Sequence, residues 1–362
     1  MASETKLWLV AVFLLSAAKM QQHCVVARNP QVPGLFIFGD SLSDCGNNNN
    51  LKTDAKANHP PYGIDSLYGP TGRFTNGRTT VDILTELLGF DEFIPPFANT
   101  TVSDIMKGVN YASAGSGILN ETGTHWGEHF SLKMQVENHK AIVSKITMKL
   151  GNSDKAKEHL NKCLYYVSIG SDDYISNYFL PEHYNSSQTF STDQFAEALI
   201  KEYSRNLMEL RSLGARKFAL IGLVPLGCTP AELSARGKPG SLCVKEENDA
   251  VVPFNDKLKS LVVRFNEEFP DSKFILINTF EAMLTGPIKD IVQVVGTDVC
   301  CKVGSNGLCI PNEKPCMSRD VWPFFDSFHA IDLVNQADAG IAYEDTNSNA
   351  AYPMDISHLV KL

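Results

Sequence analysis

Five short apolar runs punctuate the chain: Leu35 to Phe38, Val109 to Tyr111, Leu164 to Ile169, Phe218 to Leu223 and Phe274 to Ile277. Each is too short for a typical helix and is apolar throughout rather than alternating, the pattern of a strand covered on both faces. Between them the apolar period changes to that of a helix. One such segment starts at Ser191-x-x-Gln194, a capping-box spacing, sets Ile200, Tyr203, Leu207 and Leu210 on one face and stops at Gly214. Another aligns Leu258, Leu261, Val262 and Phe265 ahead of Pro270. Strands alternating with helices predict an α/β fold in three layers, a parallel sheet of about five strands joined by right-handed crossovers and covered on both sides. Ligands in such sheets sit beyond the carboxyl ends of the strands, where the strand order reverses, so the residues just after each strand are the first to search for chemistry.

The longest apolar run lies outside this alternation. Leu7 to Ala18 is twelve residues long, follows a short segment carrying Glu4 and Lys6, and leads into small residues. A membrane span would need roughly 20 apolar residues, so the run reads as a secretory signal. Cleavage after Ala18 or after Ala27 is compatible with the small residues there, and the later site is preferred. This divides the chain into a signal segment, 1–27, and a single domain, 28–362, since no linker, repeat or charge block interrupts the remainder. The 362 residues carry 32 Lys and Arg against 41 Asp and Glu, a net charge of −9. A nucleic acid partner is excluded by that balance, and nothing in the pattern requires a second chain, so a monomer is expected.

An oxidising compartment also accounts for the cysteines. Of the nine, Cys24 leaves with the signal, and Cys228, Cys243, Cys300, Cys301, Cys309 and Cys316 crowd the last part of the chain. No C-x-x-C pair and no histidine at ligand spacing accompanies them, so disulfides are expected rather than a metal site. The remaining two, Cys45 and Cys163, are either a further disulfide or buried free thiols. Three sequons, at Asn99, Asn120 and Asn185, fit a secreted glycoprotein.

After the first strand comes Gly39-Asp40-Ser41-Leu42-Ser43-Asp44. The turn holds a glycine, but Asp40 and Asp44 would set carboxylates beside any phosphate, which argues against a nucleotide. A serine on a tight turn at a strand end is instead a candidate nucleophile, provided that a histidine reaches it. The candidate is near the other terminus, in Asp326-Ser327-Phe328-His329, where a three-residue spacing lets one turn present a carboxylate and an imidazole together.

These blocks carry a resemblance. Phe38 to Asp44 with Gly46-Asn47-Asn48 resembles the first signature of the GDSL esterase/lipases, the SGNH hydrolase superfamily, in its plant secreted branch. Pro61-Tyr62-Gly63, Thr71 to Gly77, Gly108 to Gly115, Leu226 to Pro230 and the stretch from Cys300-Cys301 to His329 resemble family blocks in the family's order, so the likeness spans the mature chain. It implies a flavodoxin-like sheet and a serine ester hydrolase needing no cofactor and no metal, with an acyl-Ser41 intermediate. Ser41 would be the nucleophile, His329 the general base and Asp326 its orienting partner. The N–H groups of Ser41 and Gly115 would form an oxyanion hole.

One position breaks the family pattern. Where the family has Gly-x-Asn-Asp, this chain has Gly170-Ser171-Asp172-Asp173, and an ionised Asp172 cannot donate the third oxyanion hydrogen bond. Two escapes are open: Asp173 beside it, together with desolvation, raises the pKa of Asp172 and so preserves a proton there, or the chain uses another donor and accepts slower turnover. A smaller departure is Ala330, where the family usually has proline. The implied substrate is a small-molecule or lipid ester. Acyl transfer to an alcohol through the same intermediate, or a weakly active ligand-binding member, are the alternatives. Tyr62, Tyr68, Trp126 and Tyr174 are aromatic candidates for an acyl or aryl pocket, although ordinary packing is the better reading of each.

Overall fold

The computed structural model describes residues 29–285, 297–346 and 349–362; the expected signal segment, 1–27, lies outside them. Six strands form one sheet: β1 (Leu35–Gly39), β2 (Gly108–Asn110), β3 (Leu164–Ser168), β4 (Lys217–Ile221), β5 (Lys273–Ile277) and β6 (Ala351–Tyr352), in the order β2-β1-β3-β4-β5-β6. The first five run parallel. These are the five expected from the apolar runs. β6 pairs antiparallel with β5 through two residues, too short a segment to leave a pattern in sequence.

Alternate residues of each strand face opposite layers. Phe36, Phe38, Tyr165, Val167, Phe218 and Phe274 enter one core, built against α2 (Leu132–Leu150), α3 (Ser153–Lys162), α4 (Thr192–Ser212) and α5 (Lys245–Glu268). Leu35, Ile37, Tyr166, Ala219, Ile275 and Ile277 enter the other, closed by α1 (Thr80–Leu87) and α6 (Asp332–Tyr343). The expected capping box opens α4: Ser191 accepts from the Gln194 N–H, and Gln194 answers on the Ser191 N–H. No helix among the described residues is long and apolar enough to cross a membrane. Between β1 and β3 the order turns back, which sets the crevice directly beyond Gly39 and Ser168.

A third apolar cluster lies outside the two sheet cores and joins Tyr62, Phe74, Ala114, Leu308, Phe325 and Ile331 to the last cysteines. Three disulfides are formed, Cys228–Cys243, Cys300–Cys316 and Cys301–Cys309. Cys45 and Cys163 are free and buried, which closes the alternative of a bond between them, and burial raises both thiols above their ordinary range. The Cys300 and Cys301 N–H groups donate to the Phe324 and Phe325 carbonyls, so the two C-terminal disulfides stitch the backbone leading to His329. Replacing Cys300 and Cys316 together by serine should lower stability by about 2–4 kcal/mol and reduce ester turnover as well. Urea unfolding followed beside an activity assay measures both, and an unchanged midpoint would mean that other contacts hold this arm.

Candidate active site

The turn after β1 is built by its own acidic side chains. Asp40 Oδ1 accepts from the Leu42 N–H at 3.0 Å, and the Ser43 and Asp44 N–H groups return to the Asp40 carbonyl, which tightens the backbone around Ser41. Asp44 accepts from the Gly46, Asn47 and Ala114 N–H groups. Asn47 donates to the Asn110 and Ala112 carbonyls, and Asn48 to those of Ala55 and Ala114. Asn110 completes the clamp by donating to the Ser43 carbonyl at 2.7 Å. The Gly46-Asn47-Asn48 block thus fastens the loop after β2 to the loop after β1, and that fixes Gly115 beside Ser41. Gly115 has φ +79°, where a side chain would be strained, and an added Cβ would also crowd Trp126 at 3.3 Å.

Ser41, Gly115, Asp172, Trp126, Phe328 and His329 line one pocket of about 40 Å³. The N–H groups of Ser41 and Gly115 donate to no acceptor among the described residues. Two unpaired donors on residues that line one small cavity suit an oxygen that acquires negative charge.

The opposite wall is the arm from Phe325 to His329. His329 Nε2 lies 2.8 Å from Ser41 Oγ, while Nδ1 lies 2.8 Å from each oxygen of Asp326. Asp326 is fully buried and accepts from the Phe328 and His329 N–H groups. Its Oδ2 also receives the Tyr62 hydroxyl at 2.6 Å, and Tyr62 in turn accepts from the Cys309 N–H. With this much donation, both oxygens of the buried carboxyl have partners. Phe74 packs on the His329 ring with centroids 4.7 Å apart. In the same block Arg73 pairs with Asp82 of α1, and the Asn76 carboxamide accepts from the Asp332 N–H at the start of α6. The Thr71 to Gly77 block therefore bolts the histidine arm to the sheet layer beneath.

Asp172 follows β3 and joins the same pocket. It is 6% exposed, and its Oδ1 accepts from the Ser176 hydroxyl at 2.7 Å; Ser176 is itself within reach of the Trp126 indole N–H at 3.3 Å. Burial holds the Asp172 carboxyl above its ordinary range, against the pull of Ser176 and of the His329 imidazole. The expected helper, Asp173, points elsewhere: it accepts from the Ile118 and Leu119 N–H groups and the Thr122 hydroxyl, and burial pushes it up to about 7. Asp40 is the carboxyl that faces Asp172. Burial, then the Asp172 charge, raise it well above the usual range, and its Oδ2 has no partner. The help expected of Asp173 is not what raises Asp172: burial does that alone, while three donors draw the Asp173 side chain into the loop at 118–122 and the Asp172 charge in turn raises Asp40 and Asp173.

Of the four aromatic candidates only Trp126 lines the Ser41 pocket. Tyr62 is buried under Asp326, Tyr174 is buried in the sheet core, and Tyr68 is exposed. Gln135 of α2 was not foreseen at all: it exchanges hydrogen bonds with both the N–H and the carbonyl of Gly39 and also donates to the Phe130 carbonyl. A buried glutamine within a helical stripe is its only trace in sequence. The sequon residues Asn99, Asn120 and Asn185 are all exposed.

Comparison with known proteins agrees with this geometry. The model of the GDSL-like lipase/acylhydrolase family matches residues 35–337. The Arabidopsis thaliana GDSL esterase/lipase At4g18970 is 42% identical over 98% of this chain and 99% of its own length. Two others from the same plant, At1g29660 and At1g29670, are 44% and 43% identical, covering 93% and 98% of this chain and 94% and 98% of their own. A match of that extent, over a sheet of this order, establishes that the chain belongs to the GDSL-like lipase/acylhydrolase family and is a carboxylic ester hydrolase.

Proposed function

We propose that the protein is a secreted serine esterase that works through an acyl-enzyme on Ser41, carried by one hydrolase domain from residue 28 onward. The observation that carries this reading is the chain of contacts from Ser41 Oγ to His329 Nε2 and from His329 Nδ1 to Asp326. In the first half-reaction the imidazole accepts the Ser41 proton as Oγ bonds to the ester carbon. The carbonyl electrons move onto oxygen, facing the Ser41 and Gly115 N–H groups, and collapse of that intermediate expels the alcohol, which receives the proton from the imidazolium. Water then repeats the sequence on the acyl-enzyme. Asp326 holds the Nδ1 tautomer and stabilises the imidazolium; its own two N–H donors and the Tyr62 hydroxyl keep it in place.

Secretion is supported by three disulfides in the described residues, exposed sequon asparagines and the apolar N-terminal run. Lipid esters are included among the substrates because apolar side chains surround the serine. The Asp172 carboxyl on the pocket favours a second reading, a ligand binder with feeble turnover. An alkyl fluorophosphonate separates the two: stoichiometric labelling mapped to Ser41 is expected, and a protein that resists the reagent while folded would be the binder.

A further inference from the structure

A groove of about 600 Å³ adjoins the serine pocket, and Trp126, Ile175, Ser176 and Phe328 line both. Sites that hold a small organic molecule commonly measure about 300–1,000 Å³. The lining joins His125 and His183 to the helix Pro230–Arg236 and the loop at 303–307. Cys228–Cys243 and Cys301–Cys309 fasten those last two segments. Ser327, two residues before His329, ties them together: its N–H donates to the Gly307 carbonyl and its carbonyl accepts the Ala231 N–H, both at 3.0 Å. Covalent bonds and the histidine arm thus set the shape of the groove.

Four polar groups that border the groove are left free by the fold. His125 has Nδ1 2.9 Å from the Tyr184 hydroxyl and its ring stacked on His183, so Nε2 has no hydrogen-bond partner among the described residues. The Asp54 carboxylate, the Asn306 amide nitrogen and the Ser327 hydroxyl have none either; Asn306 uses only its oxygen, which accepts the Leu308 N–H. Water serves such groups on an open surface, but Ser327 is only 8% exposed, and all four share one groove beside the nucleophile. Burial, then the neighbouring His183, hold His125 down to about 4, so near neutral pH it offers an uncharged imidazole nitrogen. Arg236, the only lysine or arginine in the lining, is paired with Glu232 and Glu247. No free lysine or arginine among the described lining residues is left to hold an anionic ligand.

We propose that this groove receives the alcohol portion of the ester and that His125, Asp54, Asn306 and Ser327 recognise a polyhydroxylated alcohol, a sugar or a sugar alcohol. The assignment to the alcohol side rests on the acyl-Ser41 reading. In that reaction the imidazolium returns its proton to the leaving oxygen, so the alcohol departs on the side of His329, and Ser327 and Phe328 directly before it are part of the groove. The acyl group stays on Ser41 while the alcohol must escape, which an open groove allows. A hydroxyl both donates and accepts, so a molecule carrying several can answer a mixed set of donors and acceptors at once. A hydrocarbon alcohol would displace their water and leave them unpaired.

The test holds the acyl group constant and varies the alcohol. Butanoates of hexanol, benzyl alcohol and choline are compared with the primary monobutanoates of methyl glucoside and sorbitol by pH-stat titration. For the unaltered protein at least one polyhydroxylated ester should exceed hexyl butanoate in kcat/KM by about 10-fold or more. His125→Phe, which keeps an aromatic ring but no ring nitrogen, and the double variant Asp54→Ala/Asn306→Ala should each bring that ratio toward one. Because the ratio is taken within one protein, the folded fraction cancels. A ratio near or below one in the unaltered protein, a ratio that survives in both variants, or a benzyl or choline ester that outruns both polyhydroxylated esters would overturn the proposal. Saturation-transfer NMR of the methyl glucoside ester with Ser41→Ala reads the groove without turnover, and its sugar protons should receive saturation that fades in Ser41→Ala/His125→Phe. That pattern upholds the groove even if the unaltered protein proves inert to every ester, an outcome that would overturn the acyl-enzyme mechanism instead. Sugar protons that receive no saturation, or receive it equally in the two proteins, would overturn the groove assignment.

Discussion

Ser41→Ala and His329→Ala are each expected to reduce kcat/KM toward a simple ester by about 10⁴-fold or more, with the double variant no worse than either. On the proposed mechanism the two groups act on one proton: once Oγ is gone the imidazole has nothing to activate, and once the imidazole is gone the hydroxyl stays protonated. Folding should survive. Among the described residues the Ser41 hydroxyl hydrogen-bonds only to His329, at 2.8 Å, and it faces a pocket, so its removal opens no core cavity and thermal unfolding of Ser41→Ala should match the parent. Losses that multiply in the double variant would show the two residues acting independently and would break the shared mechanism. Asp326→Asn belongs to the same experiment, since an amide in place of the carboxylate favours the wrong imidazole tautomer and should cost on the order of 10⁴-fold.

Asp172→Asn should do the reverse and raise turnover at alkaline pH, by up to about 10²-fold. Burial raises the Asp172 carboxyl, so it is protonated over a wider range than an exposed aspartate and can donate toward the pocket while Oδ1 keeps the Ser176 hydroxyl. As the pH climbs through that raised pKa the proton is lost, and a carboxylate then faces the oxygen on which negative charge develops. The base, by contrast, works only as neutral imidazole. These opposing demands confine the parent to a bell-shaped profile, and the asparagine, which donates at every pH, should remove the alkaline limb and leave a plateau. Profiles of kcat/KM for the two proteins measure this. Lower activity of Asp172→Asn across the whole range would mean that the carboxyl itself takes part in the reaction.

The parallel strands could be read in advance because both of their faces are buried, leaving uninterrupted apolar runs, whereas β6 has two residues and no such signature. Asp326 and His329 share a turn, so spacing alone brings them together. Tyr62 was ambiguous for the opposite reason: its partner is 264 residues away, and an aromatic that packs and an aromatic that donates to a buried carboxylate look alike in sequence. Gln135 and Asp173 were opaque in the same way, since their partners are backbone groups of remote loops. The Asp172 charge reaches Asp40 because β1 and β3 are neighbours in the sheet, a proximity that the local dipeptide Asp172-Asp173 does not reveal.

The contact between Ser41 and His329 joins residues 288 positions apart, and this separation orders events during synthesis. Ribosomes deliver the chain from its N-terminus, so β1 to β5, the Ser41 turn and the Gly115 loop all emerge before His329 exists. On the proposed mechanism, a nascent chain halted anywhere short of residue 329 carries the nucleophile without its base. The arm that supplies the base is also stitched by Cys300–Cys316 and Cys301–Cys309, bonds that an oxidising lumen makes and a reducing cytosol does not. The proposed triad is thus completed late in synthesis, and on the proposed secretory route only where its supporting disulfides can form.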